Sequence, residues 1–276
     1  MGMPGPAAAL AWVAILLAPL PCLAQGGSSD SDLAAKIQNP VADLISVPFQ
    51  NNTNFGIGPH DRTQNVLNIQ PVIPFHLSEE WNLITRTILP LAWQPDVIRS
   101  GDASSHGTFG LGDTLVSLFL SPAKPGRLIW GVGPVFQLRT GTSRATSSEK
   151  WGLGPTAVVL VTPKPWVIGV LVNNVWGFTG NSNRQNVNQM TLQYFVNYNF
   201  AHGWYLTSSP IVTADWKAGT GDKWTVPFGG GVGKVFRLGK LPLNGQLAAY
   251  WNAVSPNDLP APSWQLRAQL ALLLPR

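Results

Sequence analysis

Apolar and polar residues alternate over much of this chain. In residues 264–274 the even positions are apolar, and the odd positions from 265 to 269 are polar. Residues 189–200 repeat the pattern, with apolar or aromatic side chains at the even positions and mostly polar ones at the odd positions. A period of two places each set on one face of a β-strand. The pattern therefore predicts strands that each have one apolar and one polar face.

Twelve segments of this kind follow one another along the chain. We predict strands at 46–56, 64–75, 81–93, 107–121, 126–139, 149–162, 166–178, 189–200, 204–217, 223–238, 242–254 and 263–275. Short turns such as 163–165 alternate with longer polar loops such as 94–106. This layout is typical of outer-membrane barrels, in which the short turns face the periplasm. We therefore predict an all-β fold, a transmembrane antiparallel β-barrel of about 12 strands over residues 46–276.

The composition argues against an ordinary soluble domain. Hydrophobic residues make up 45% of the 276 residues and charged residues only 11%, whereas a soluble domain carries about a quarter charged residues. The 12 tryptophans fall mostly near strand ends, as in the aromatic girdles of membrane barrels. The alternative is that they are core residues of a soluble β-sandwich. The net charge of +5 is diffuse, so nucleic acid is not an expected partner.

The N-terminus has the features of a secretory signal peptide. Residues 7–20 form an apolar run of the length of a signal-peptide core, and small residues at positions 22 and 24 favour cleavage after Ala24. No Lys or Arg precedes the run, so the α-amino group is its only positive charge. In an alternative interpretation the protein is a lipoprotein with Cys22 lipidated. Residues 1–24 are thus assigned to export, and the location predicted is the bacterial outer membrane.

Residues 25–45 precede the first strand and contain a short helical pattern. Leu33, Ile37, Val41 and Leu44 recur at near-helical spacing, and Pro40 interrupts the pattern. We predict one or two helical turns at the periplasmic mouth, in a periplasmic segment or a partial plug of the barrel. The alternative is a mobile leader.

The polar face of the predicted strands is the candidate functional surface. Strand parity assigns these residues to the lumen wall: Gln50, Asn52, Asn54, Asn68, Gln70, Arg86, Asp113, Gln137, Arg139, Gln193, Asn197, Asp215, Gln246, Asn252, Arg267 and Gln269. An amide-rich lumen can hydrogen-bond neutral polar solutes and tolerate apolar ones. Alternatively, the residues fill a narrow barrel and satisfy one another. Lys234 departs from the alternation, which a β-bulge or a side chain reaching the membrane interface would resolve.

The sequence contains no pattern typical of a catalytic site. His60, His76, His106 and His202 fall in predicted turns or loops, without metal-ligand spacing or an accompanying carboxylate motif. The glycines at 229–233 lack the Lys-Ser/Thr pair of a phosphate-binding loop. We therefore expect no catalytic residue, no cofactor and no metal, and do not expect an enzyme.

Several sequence blocks resemble a known family. The run QNPVADLISVPFQNN at 38–52 is similar to the opening of the bacterial outer-membrane transporter family associated with the meta-pathway of phenol degradation. Similar later blocks are GLGDT at 110–114 with FLSP at 119–122, VP at 226–227 with GGGVGK at 229–234, and the ending LLLPR at 272–276. The resemblance implies a barrel that passes small, often hydrophobic compounds.

Three functions are compatible with these observations. The first is an outer-membrane channel that passes small, hydrophobic or aromatic molecules by passive diffusion. The second is a structural or adhesive barrel without transport, and the third is a lipid-modifying barrel enzyme. The expected partners are outer-membrane lipid and lipopolysaccharide, the barrel-assembly machinery and a small-molecule solute. The oligomeric state is left open.

Overall fold

The computed structural model describes residues 30–97, 107–257 and 260–274. The predicted signal peptide with Cys22, the loop histidine His106 and the chain end 275–276 lie outside these residues. No helix within the described ranges is long and apolar enough to cross a membrane. The chain begins with helix α1 (Asp30–Ile37) and continues as the strands β1 (Ile45–Ile57), β2 (Arg62–Ile69), β3 (Val72–His76), β4 (Trp81–Pro95), β5 (Gly107–Leu111), β6 (Thr114–Pro122), β7 (Leu128–Leu138), β8 (Lys150–Val161), β9 (Trp166–Gly180), β10 (Asn188–Asn199), β11 (Trp204–Ser208), β12 (Ile211–Asp215), β13 (Trp224–Leu238), β14 (Leu241–Val254) and β15 (Trp264–Leu274).

The strands close into one antiparallel barrel. The first and last strands pair from Ile45 opposite Leu274 to Phe55 opposite Trp264, and hydrogen-bonded antiparallel pairs continue around the rest of the wall, including the pair of β9 and β10. Three strands of the barrel wall are each divided into two segments, namely β2 with β3, β5 with β6, and β11 with β12. The barrel therefore has 12 strands, and the predicted all-β transmembrane barrel fold with a short N-terminal helix is confirmed.

The sequence predicts that the three divided strands are continuous, and the structure differs from that prediction. Two divisions fall at Pro71 and Pro210, where proline lacks the N–H that a ladder hydrogen bond requires. The third falls at Gly112, whose backbone is approached so closely by the Pro90 ring and the Thr146 carbonyl that a Cβ would have no room. Backbone chemistry and close approach thus interrupt strands whose side-chain alternation continues.

Side chains alternate between the lumen and the outer surface. Along β8 every even-numbered residue from Lys150 to Leu160 is buried, and the odd-numbered residues are exposed or half-buried. Lys234 lies on the outer face, with its Nζ 4.8 Å from the centroid of the Trp204 ring. A lysine at this end of a membrane strand keeps its charge near the interface while its stem covers apolar surface. A charged residue at this apolar position is therefore explained by its closeness to the membrane interface, and Lys234 stays on the outer face.

Aromatic pairs lie on the outer face at both ends of the barrel. Trp81 and Trp130 meet edge to face at the short-turn end, and Trp216 and Trp224 do so at the long-loop end. Amphipathic indole rings favour the two membrane–water interfaces. This distribution matches the two girdles that the sequence predicts.

Polar side chains on the outer face are paired with one another. The amides of Asn51 and Asn65 exchange two hydrogen bonds of 2.9 and 3.0 Å, and Thr53 joins the same cluster. Hydrocarbon offers polar groups no alternative partner. Mutual pairing therefore allows these amides to face the membrane.

Apolar residues fill the lumen at the short-turn end. Leu33, Ala34 and Leu44 of the N-terminal segment pack against inward residues that include Tyr205 and Leu273, and each of the five is less than 8% exposed. Val41 packs into a second inward cluster. It lies beside Gly131, where an added Cβ would come within 3.1 Å of the Val41 side chain. Residues 30–44, hereafter the N-terminal segment, thus occupy this mouth of the barrel.

Candidate functional site

A polar cavity of about 140 Å³ lies inside the barrel, bordered on one side by the N-terminal segment. Among the residues that the sequence assigns to the lumen, the following line it: Gln50, Gln70, Arg86, Gln193, Asn197, Gln246, Arg267 and Gln269. Seven of them come from five strands, and Gln70 lies between β2 and β3. They meet because inward positions of a barrel converge on its axis.

Arg267 is the most deeply buried charged side chain of this wall, at 2% exposure. Its Nε donates to Asn52 Oδ1 at 3.1 Å, Nη1 to the Ser209 carbonyl at 2.8 Å and Nη2 to Gln265 Oε1 at 3.1 Å. Its guanidinium also lies 4.7 Å from the centroid of the Tyr250 ring. The guanidinium is held rigidly, and every one of these partners is formally neutral.

Arg86 faces the same cavity from β4. Its Nη2 donates to Gln70 Oε1 at 2.9 Å, and Gln70 is itself buried at the division between β2 and β3. Asn52 accepts a hydrogen bond from Gln50 in addition to the one from Arg267. Amides therefore orient the two arginines without neutralising them.

Some residues that line the cavity are absent from the sequence-based assignment. Tyr205 donates to Asn244 Oδ1 at 2.8 Å, and both are buried. Thr207 and Ser209 share the inward parity of Tyr205. The alternation that placed Asp215 in the lumen also applies to residues 205–209, so this signal was present in the sequence. Lys36 comes from the N-terminal segment, and no strand pattern could have indicated it.

Asp113 contacts a loop, whereas its position in the strand alternation predicts a residue of the pore wall. Its Oδ1 accepts hydrogen bonds from Ser147 Oγ at 2.7 Å and Gly141 N at 3.3 Å, and its Oδ2 accepts from Ser148 N at 2.7 Å and Ser148 Oγ at 2.6 Å. The loop at 140–149 thereby folds back onto the division between β5 and β6. Asp113 holds a loop at the long-loop mouth.

Other predicted lumen residues lie toward the long-loop end. Gln137 is buried and donates to Ser148 Oγ at 2.8 Å, whereas Arg139 lies just beyond the end of β7 and is exposed. Asp215 borders a second cavity of about 350 Å³ formed with loop residues 183–187. Asn68 is half-buried opposite Gln50, and Asn54 and Asn252 contact neighbouring polar groups. Apart from Gln50, none of these residues is among those that line the arginine-containing cavity.

Polar contacts join the N-terminal segment to the barrel in addition to its apolar packing. Gln38 and Asn199 exchange two amide hydrogen bonds of 2.9 and 3.2 Å. Lys164 Nζ lies 2.8 Å from Asp32 Oδ1, but the Lys164 side chain is 86% exposed. Exposed ion pairs contribute little to stability. The ion pair therefore adds little to the attachment that the buried apolar residues of this segment provide.

The described histidines stay apart from the lumen. His60 and His202 lie in turns, and His76 Nε2 is 3.0 Å from Asp43 Oδ2 at the exposed short-turn end. Within the described ranges, no group of three or more His, Cys, Asp or Glu side chains could hold a metal ion.

Removal of the Asp113 carboxylate should release the loop that it holds. We expect Asp113→Ala to accelerate trypsin cleavage after Arg144, an exposed residue of this loop, because four hydrogen bonds to a charged acceptor are lost. The measurement is limited proteolysis of proteoliposomes. Asp215→Ala is the matched control, since among the described residues the Asp215 carboxylate accepts one hydrogen bond, a local one from Lys217 N. Equal cleavage rates in the two variants would contradict the assigned role.

Comparisons with known proteins support the same architecture. The barrel is similar to an outer membrane channel from Pseudomonas putida F1, with 18% identity over 84% of this chain and 94% of that chain and a TM-score of 0.62. It is also similar to the NanC porin, with 7% identity over 84% of this chain and 100% of that chain and a TM-score of 0.51. The comparison with curated proteins gave no match. At these identities the likeness establishes the fold.

A sequence family described as "Putative MetA-pathway of phenol degradation" matches residues 48–254. The match extends from β1 to the end of β14 and so includes most of the barrel wall and most of the cavity lining. Of the four blocks that carry the resemblance, those at 110–122 and 226–234 lie inside the matched range, the opening block at 38–52 overlaps it at 48–52, and the ending at 272–276 lies outside it. The chain therefore belongs to this phenol-degradation family of outer-membrane barrel proteins.

Proposed function

We propose that the protein is a passive outer-membrane channel for small solutes. The observation that carries this proposal is a closed 12-stranded barrel with an apolar outer face and a polar, partly open lumen. Closure pairs the backbone groups of the wall internally, as a structure in hydrocarbon must. A closed barrel with a polar cavity inside it can provide a path that needs no energy source once the N-terminal segment moves aside.

The chemistry of the lumen suggests which solutes can pass. Amide side chains such as Gln193, Asn197 and Gln246 can donate to or accept from neutral polar groups, while Val72 and Phe195 offer apolar surface in the same cavity. Small molecules with a polar group on an apolar body fit this lining. The similar outer membrane channel of Pseudomonas putida F1 supports a channel function, and the family description supports a link to aromatic compounds.

The N-terminal segment is proposed to act as a plug within this channel. Its buried apolar residues occupy the short-turn mouth, so passage requires the segment to shift or leave. We propose a chain divided into a signal peptide at 1–24, a plug segment at 25–45 and the barrel at 46–276. The outer face with its aromatic girdles would contact outer-membrane lipid and lipopolysaccharide. The barrel-assembly machinery would insert the exported chain into that membrane.

Proteoliposome swelling tests the proposed function. Liposomes that contain the protein should swell in an isosmotic solution of a small neutral sugar faster than protein-free liposomes. Swelling should be equal for the two enantiomers of the sugar, because passive diffusion through an amide-lined lumen has little stereoselectivity. Swelling at the protein-free rate would support a structural barrel. Turnover of phospholipid by the same preparation would support the lipid-modifying alternative.

Export to the outer membrane gives a second expected outcome. The mature chain should begin at Gln25, fractionate with outer membranes and migrate faster on gels when it is not heated, because a closed barrel resists detergent. The measurements are N-terminal sequencing and gel migration with and without heating. Recovery of a soluble periplasmic protein would contradict both the location and the barrel in its proposed setting.

A further inference from the structure

We propose that Arg86 and Arg267 form a binding site for the carboxylate of a small organic acid inside the lumen. The inference deepens the proposed channel function and rests on it only for the route by which the solute arrives. Both side chains line the same cavity of about 140 Å³. The site is therefore accessible to a small molecule in the lumen.

The charge of this cavity is positive and uncompensated. Its lining includes Arg86, Arg267 and, at the short-turn mouth, Lys36, while no Asp or Glu among the described residues lines it. Taking a guanidinium out of water is costly unless an opposite charge and hydrogen bonds replace its hydration. Arg267 is 2% exposed, and its hydrogen-bond partners among the described residues are all neutral. An anion in the cavity would supply the missing charge.

The hydrogen bonds of the arginines leave donors directed at the cavity. Among the described residues, Arg86 donates one hydrogen bond, to Gln70, although a guanidinium carries five N–H groups in a planar fork. The fork matches the geometry of a carboxylate, which it binds through two parallel hydrogen bonds. Arg86 is therefore the primary ligand, and Arg267 adds positive charge from a fixed position.

Nearby carboxylates of the chain are engaged elsewhere. Asp113 accepts hydrogen bonds from the loop at 140–149, Asp43 contacts His76, and Asp32 contacts Lys164. These groups are held at the two ends of the barrel. Since no carboxylate among the described residues lines the cavity, the carboxylate of a solute would complete the site.

The remaining lining favours an organic acid over a bare inorganic ion. Val72, Phe195, Ile37 and Leu44 present apolar surface to the cavity, and Tyr205 presents an aromatic ring. A solute with an aromatic or short aliphatic body could place its carboxylate at Arg86 and its body against these side chains. Benzoate is a suitable probe because it combines the two features in a small molecule.

The experiment is isothermal titration of the purified full-length protein in detergent at low salt. Benzoate should bind with a stoichiometry of one. Benzamide, which has the same shape without the charge, should bind at least about tenfold more weakly, since hydrogen bonds between two charged partners are among the strongest in proteins. Equal affinity for benzamide would overturn the proposal. Chloride that displaces benzoate at equal concentration would overturn the organic-acid assignment.

Variants locate the bound anion. Arg86→Gln should weaken benzoate binding by about tenfold or more, whereas Arg127→Gln removes the same charge from an exposed short turn and should leave binding unchanged. Arg86 is the chosen position because Arg267 has three structural hydrogen bonds, and heat-dependent gel migration verifies that each variant is folded. Wild-type benzoate affinity in Arg86→Gln would overturn the proposal. Because binding is measured at equilibrium, a protein that binds benzoate without conducting would refute the channel and retain the site.

Discussion

Deletion of residues 30–41 should raise the single-channel conductance severalfold and remove most closed periods. The deletion removes Leu33, Ala34 and Val41, which pack inside the short-turn mouth, and it also removes the amide pair between Gln38 and Asn199. The barrel wall begins at Ile45 and keeps its pairing with β15. The measurement is current across a planar bilayer, with the signal peptide retained for export.

A single-residue control separates removal of the plug from loss of a surface contact. Lys164→Ala breaks the ion pair with Asp32, in which Lys164 is 86% exposed, and it should leave conductance and open time almost unchanged. If the deletion variant conducts no better than the full-length protein, the N-terminal segment is not the barrier. The inward apolar residues of the wall, such as Phe119 and Leu171, would then be the constriction.

Leu270→Arg should lower the free energy of unfolding by roughly 2–4 kcal/mol, the cost of a cationic side chain facing lipid near the membrane midplane. Leu270 is 45% exposed on the outer face in the middle of β15. The measurement is urea unfolding in lipid vesicles, followed by tryptophan fluorescence.

The neighbouring residue provides a matched control. Gln269 faces the lumen and lines the cavity with Arg86 and Arg267, so Gln269→Glu places a carboxylate among positive charges and away from lipid. This variant should be as stable as the wild type or more stable. Equal destabilisation by Leu270→Arg and Gln269→Glu would show that the two faces of β15 are not as assigned.

The number of strands and the face on which each side chain lies could be predicted from the sequence. Each strand separates lipid from a polar lumen, so apolar and polar residues alternate with a period of two. Lipid on one side and a polar lumen on the other select Leu270 and Gln269 as neighbours, and the same rule places Gln50 beside Phe49. The aromatic ends of strands add a second signal. These local patterns need no knowledge of tertiary contacts.

Long-range contacts account for what the sequence could not indicate. Asp113 has the inward parity of a pore residue, but its partners are in a loop about thirty positions later in the chain. Lys36 reaches the cavity because a helix packs inside the barrel, and no strand pattern encodes that packing.

The most direct test of the channel is the reversal potential of the full-length protein under a potassium chloride gradient. The dilute side should be near 0.1 M, where the Debye length is about 10 Å and lumen charges are still felt. Since Arg86 and Arg267 line a cavity that no described acidic residue shares, low-dielectric walls should favour chloride. We predict a reversal potential whose sign indicates a mild preference for anions. In Arg86→Gln the magnitude of this potential should be smaller. A cation-selective current, or no current from either the full-length protein or the deletion variant, would contradict the account.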